Sequence, residues 1–152
     1  MTIPLTLREL LIPRGLPADA RTKLIRHQDP RCDMRQLRED GFFEAYQQYQ
    51  SRPVLECDYL VSFIGDANST AVLHGVYSVG ERRSSAEFAL PLGAPEFIYP
   101  GEDGFHYDLQ RVPSFDELVD RVVIAWGESS RSWHQWLDAK RCLLYTSDAA
   151  DE

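Results

Sequence analysis

Cys57-Asp58-Tyr59-Leu60-Val61-Ser62-Phe63-Ile64, followed by Gly65-Asp66-Ala67-Asn68 and then Thr70–Val79, is the stretch on which the fold turns. Its first eight residues are rich in β-branched and aromatic side chains, which suit a pleated, half-buried surface. The Gly-Asp-Ala-Asn segment carries turn residues, and the apolar run resumes after it. The pattern predicts two antiparallel strands joined as a hairpin.

Toward the C-terminus the strand signal continues with interruptions. Gly80–Glu102 is dense in charge, Ser, Pro and Gly and reads in part as loop, with a strand over Ala86–Leu90. Phe105–Arg111 reads as a strand and Phe115–Leu118 as a helical turn after Pro113. Arg121–Trp126 is a strand of β-branched residues, and Arg131–Leu137 follows a Gly127-Glu128-Ser129-Ser130 turn. Toward the N-terminus the period changes. Thr6-Leu7-Arg8-Glu9-Leu10-Leu11 has a Thr cap, an acid three residues on and apolar residues at helical steps. Pro13, Gly15 and Pro17 end it. Lys23–His27 reads as a short strand in preference to a continued helix. In Asp33–Gln50, Met34, Leu37, Phe42, Phe43, Tyr46 and Tyr49 recur at three- and four-residue steps, with Gly41 dividing two helices. Helices first and strands after predict an α+β fold, short N-terminal helices packed on a curled, mainly antiparallel sheet forming a small barrel.

The last eleven residues, Cys142–Glu152, need separate treatment. Back-translated in one frame, they resemble the end of a transposase-type sequencing adapter, and such segments are set aside in fold reasoning. The expectation is a recognition domain over residues 1–141, an artefactual tail over 142–152 that frays, and a natural polypeptide continuing past Arg141. The formal charge of −8 then becomes −5, from 16 basic and 21 acidic residues. An acidic balance argues against coating by nucleic acid through net charge but leaves room for a local basic patch. Setting Cys142 aside leaves Cys32 and Cys57, neither in a Cys-x-x-Cys pair, which fits a reducing cytoplasm and excludes a zinc ribbon. No apolar run reaches the ~18–20 residues of a membrane span.

Chemistry-bearing residues are few. Trp126, Trp133 and Trp136 are all three tryptophans of the chain, and Arg131 and His134 stand among them. An indole beside a guanidinium suits stacking on an unpaired base and holding its phosphate. For Trp126 core packing is the preferred account; for Trp133 packing and stacking are equal alternatives. Arg26 and His27 could touch a phosphate, although an Asp29 that caps the next turn, with solvated neighbours, explains that cluster as well. Tyr46-Gln47-Gln48-Tyr49-Gln50 could present a contact face; buried tyrosines beside exposed amides are the plainer reading. Arg82-Arg83 reads as a solvated loop or a phosphate contact. The histidines lack metal-binding spacing, there is no Gly-rich phosphate loop, and Ser62 lacks a nucleophile elbow. No catalytic residue and no metal ligand is assigned.

Leu24-Ile25-Arg26-His27-Gln28-Asp29, Tyr46–Gln50, Tyr59–Gly65, His74-Gly75-Val76-Tyr77, Tyr107-Asp108-Leu109, Val123–Gly127 and Arg131-Ser132-Trp133-His134-Gln135-Trp136 together resemble the N-terminal region of bacterial GIY-YIG nuclease family proteins. The resemblance covers nearly all of residues 5–141. It implies a DNA endonuclease whose catalytic domain follows this region and uses a divalent metal there. His74-Gly75-Val76-Tyr77 mimics the first family strand, but no Tyr-x-Gly partner follows, so no catalytic residue carries over. The strand-rich half is also similar in layout to PUA-like barrels. The expected function is DNA recognition through Arg131, Trp133, His134, Arg26 and His27, with no cofactor in this region. The alternative is a domain that contacts a protein partner.

Overall fold

The computed structural model describes residues 2–29, 31–65, 70–126, 134–137 and 143–147. The fold is α+β: short helices with a curled, mostly antiparallel mixed sheet. The chain divides into two compact units, one formed by residues 1–28, 57–78 and 111–152, the other by 29–56 and 79–110.

The first unit opens with strand β1 (Thr2–Thr6) and helix α1 (Leu7–Leu11). The predicted cap is present: Thr6 Oγ1 accepts from the Glu9 amide at 3.2 Å, and the Glu9 carboxylate accepts from the Thr6 amide at 3.0 Å. This reciprocal pairing satisfies two amide donors that a helix start leaves open. Leu7, Leu10 and Leu11, on one face at helical spacing, are buried. Strands β2 (Thr22–His27), β4 (Tyr59–Gly65), β5 (Thr70–Ser84), β7 (Val122–Ala125), β8 (His134–Trp136) and β9 (Leu143–Ser147) complete the sheet, in the order β1-β9-β7-β5-β4-β2-β8. Every neighbour is antiparallel except β2 and β4, which run parallel. Those two are separated in sequence by residues 28–58, and a parallel pair needs such a long return.

The hairpin expected over Cys57–Val79 is the β4–β5 pair; its turn residues 66–69 lie outside the described set. Its register shifts after Ser62: Ser62 faces Gly75 and Phe63 faces Leu73, leaving His74 as the extra residue. A bulge of this kind bends the strand and increases its twist, which curls the sheet. Among the described residues the end strands β1 and β8 are not paired with each other, so the curl is open. The alternation of β4 sends Val61 and Phe63 to a core shared with Leu7, Leu11, Leu24, Leu73, Phe115, Ile124 and Trp126.

The second unit holds α2 (Met34–Glu39), α3 (Phe43–Gln48), the two-residue strand β3 (Tyr49–Gln50), most of β6 (Phe105–Arg111) and the far end of β5. Asp33 caps α2, accepting from the amides of Arg35 and Gln36. Gly41 has φ 84°, a left-handed conformation that glycine adopts without Cβ penalty, and it separates the two helices where expected.

Four expectations need correction. The helical segment expected to reach Gln50 ends at Gln48, and Tyr49–Gln50 instead pairs with β6 as strand β3. The charge-rich residues after Gly80 extend β5, the partner of β6, to Ser84; within it Arg83 pairs with Glu81 at 2.7 Å and Arg82 lies 3.5 Å from Glu56. Ala86–Leu90 is not a strand: Ser84 caps a 3-10 turn over Ser85–Glu87. Leu143–Ser147 is not frayed but forms β9 between β1 and β7. Its Leu-Leu-Tyr-Thr composition suits a strand, and both neighbours offer open backbone groups to a β-prone segment.

Candidate nucleic-acid interface

The β2 strand and its neighbour β8 form one end of the first unit's sheet. Lys23 pairs with Trp136, Leu24 with Gln135 and Ile25 with His134. Directly opposed residues share a face and alternate residues share it too. Lys23, Ile25 and His27 therefore stand on the same face as His134 and Trp136, with Leu24 and Arg26 on the other. The start of β2 is held by Asp58: its carboxylate accepts from the Arg21 amide at 2.8 Å, and the Arg21 carbonyl accepts from the Asp58 and Tyr59 amides at 2.7 and 3.1 Å. The end of β8 is held by the Leu137 amide, which donates to the Thr22 carbonyl at 2.8 Å.

This frame presents an indole among cations. Trp136 is 45% exposed. The Arg21 guanidinium carbon is 5.0 Å and the Lys23 ammonium nitrogen 5.1 Å from its ring centroid. Both distances fall within cation–π range. Lys23 is buried while Arg21 is exposed, so Lys23 mainly supplies field and Arg21 can meet a ligand directly. His134 is half-buried, and burial, followed by the Lys23 charge, holds its pKa below the ordinary 6.5. The imidazole is thus neutral near pH 7 and works there as a hydrogen-bonding group rather than as a cation. Cys57 lies near the same charges, and burial pushes its thiol up to about 11, which keeps it protonated and a poor nucleophile.

Of the expected binding residues, His134 belongs to this edge, while Arg131 and Trp133 lie outside the described residues. Arg26 is not gathered with them. Its guanidinium lies 5.5 Å from the ring centroid of Trp126, and Trp126 is buried in the core 6.0 Å from Phe63, as the packing account requires. His27 shares the face of His134 but is only 4% exposed, so its imidazole cannot reach a phosphate from this position. Trp136 and the cations Arg21 and Lys23 were missed. Lys23–His27 reads as a short strand, but which strand would lie beside it is not a local property of the sequence.

The second unit absorbs the remaining candidates. The Asp29 carboxylate accepts from the Arg31 guanidinium at 2.6 to 3.1 Å, from the Arg31 amide at 2.9 Å and from the Tyr46 hydroxyl at 3.2 Å. The guanidinium in turn lies 4.4 Å from the Phe97 ring centroid. Asp29 is thus the turn-capping group of the plainer account. The Tyr/Gln segment is not a free face either. Tyr49 and Gln47 are buried, and Gln47 donates to Glu44 while its carbonyl accepts from Gln50. The amide of Gln47 was expected to be exposed; instead its hydrogen bonds offset the cost of burying it.

The Arg31 side chain lowers the Asp29 pKa from its ordinary 3.8 to about 2. A carboxyl depressed on folding adds stability above its unfolded pKa and loses it as pH falls through the folded value. Asp29→Asn is expected to cost about 1–2 kcal/mol at pH 7, a figure reduced because Arg31 faces water. The difference from wild type should shrink between roughly pH 5 and pH 2. Urea denaturation across that range checks it; an equal deficit at both ends would refute the linkage.

Among the described residues, no group of three or more His, Cys, Asp or Glu is placed to hold a metal ion. Likewise no described helix is long and apolar enough to cross a membrane. No protein-family model, no curated protein and no solved structure matches this chain, so the indole–cation edge of β2 and β8 stands on its own geometry.

Proposed function

We propose that this chain is a non-catalytic DNA-recognition module of a cytoplasmic protein. Nuclease activity and its divalent metal, as the GIY-YIG resemblance implies, belong to a domain outside this sequence. The observation that supports the reading is the exposed Trp136 ring with Arg21 and Lys23 beside it. In this reading Arg21 pairs with a phosphate, Trp136 stacks on an unpaired base, and His134 adds a hydrogen bond. Arg131 and Trp133 are close in sequence to this edge and lie outside the described residues. Charge distribution supports it as well. The first unit has 10 Lys and Arg against 12 Asp and Glu, whereas the second has 6 against 12. The larger acidic excess therefore belongs to the second unit, whereas the residues assigned to DNA belong to the first.

The test is binding of the full chain to single-stranded and duplex DNA at several salt concentrations. Trp136→Ala is expected to weaken single-strand binding about tenfold or more, the usual scale for one stacked base. Arg21→Gln is expected to reduce the slope of log K against log salt by about 1. Absence of binding at low salt, or binding that ignores both substitutions, would overturn the proposal.

A further inference from the structure

The second unit carries a cavity of about 320 Å³ lined by Phe88, Ala89, Leu90, Glu96 and Tyr99. Two of these side chains, Phe88 and Tyr99, belong to a connected series of four rings. Phe88 stacks on His106 with centroids 3.8 Å apart and planes 16° apart. His106 meets Tyr49 edge-on at 5.0 Å, and Tyr49 meets Tyr99 edge-on at 5.7 Å. Each ring is thereby fixed by the next, so Phe88 and Tyr99 are held in place before anything binds. Preorganised walls reduce the ordering cost of binding. Ala89 and Leu90 add apolar surface, and Glu96 is the one charged side chain in the lining.

We infer that this cavity binds a small alkylated ammonium ion, with Phe88 and Tyr99 as its aromatic walls and Glu96 as its counter-charge. Three observations select a cation over a neutral or anionic guest. Aromatic faces present negative quadrupole density, and methylated ammonium groups, which shed water easily, bind well against them. The lining contains a carboxylate and no basic residue. The surrounding unit has twice as many acidic as basic residues, 12 against 6. The Arg83 guanidinium carbon lies 5.9 Å from the Phe88 centroid and competes for that ring, so Tyr99 and Glu96 carry more of the contact than Phe88. His106 behind it is held below its ordinary pKa, chiefly by burial, and so adds no positive charge to the wall near neutral pH. The inference concerns residues of the second unit alone and does not depend on the DNA reading.

Choline and its neutral carbon isostere, 3,3-dimethylbutan-1-ol, separate charge from shape. Each is titrated into the full chain while the ring-proton NMR signals of Phe88 and Tyr99 are followed. Choline is expected to shift them saturably and to bind about tenfold more tightly than the isostere, the scale of a partly desolvated cation–π contact. Glu96→Gln, a change at an exposed residue, is expected to weaken choline several-fold and leave the isostere unaffected. Equal affinity for the two probes would show an apolar pocket and overturn the inference. So would the lack of any saturable shift up to ~100 mM, beyond the weak millimolar range of small ligands.

Discussion

Phe63→Ala is expected to destabilise the protein by about 3–5 kcal/mol, the largest effect of any single change considered. Phe63 is fully buried on the core face of β4 and meets Trp126 edge-on at 6.0 Å. It also sits just past the bulge, paired with Leu73, where the strand bends. Removing the ring therefore leaves a cavity at the point where the sheet changes direction. The backbone cannot close it without losing the register of β4 and β5. A domain's total stability is only about 5–15 kcal/mol, so much of it would be lost. Urea denaturation followed by tryptophan fluorescence measures this, because Trp126 borders the site. Phe63→Leu, which keeps most of the volume, should cost far less, about 1.5 kcal/mol or below. A loss under 1 kcal/mol for the alanine variant would mean that the ring is not part of a close-packed core.

The second large effect is expected from Arg111→Met, about 2–3 kcal/mol. Arg111 ends β6, and its guanidinium makes three directed contacts. It donates to Asp116 at 2.7 Å, to the buried Tyr77 hydroxyl at 2.9 Å and to the His74 carbonyl at 2.8 Å. Gly75 leaves the room for this: a Cβ there would come within 3.0 Å of the guanidinium. The His74 carbonyl belongs to the bulge residue, so Arg111 fastens the bulge to the segment that follows β6. A methionine keeps the stem's packing and removes all three donors. Arg111→Lys should recover less than half of the loss, because an ammonium cannot fork to three acceptors at fixed angles. Chemical denaturation of both variants checks it. A lysine variant as stable as wild type would show that charge alone matters; a methionine variant within 0.5 kcal/mol of wild type would remove the bulge-fastening role.

Much of the fold was legible because its signals are local. The Thr6–Glu9 capping box, the glycine break at residue 41 and the β-rich composition of Cys57–Ile64 each depend on residues within a few positions. The misreadings arose where a distant partner changes a local cost. The charged stretch Glu81–Ser84 looked like loop, yet it lies in the strand that pairs with β6. Gln47 looked solvent-facing, yet its side chain and carbonyl find partners on the same helix and its exit. The candidate site was legible only in part. The crowding of Trp, Arg and His over residues 126–136 drew attention to the segment that includes β8. It could not name Trp136 as the exposed ring or bring Arg21 to it.

Local chemistry alone thus specified the α+β class, the capped first helix, the helix break at Gly41 and the hairpin, because capping and turn geometry are short-range forces written into adjacent residues. Strand order, the parallel pairing of β2 with β4, the bulge at His74 and the meeting of Trp136 with Arg21 and Lys23 came only with folding in three dimensions. Each of these joins residues far apart in the chain. Their energies exist only once the intervening segments have closed, and no local pattern records which edge a strand will meet.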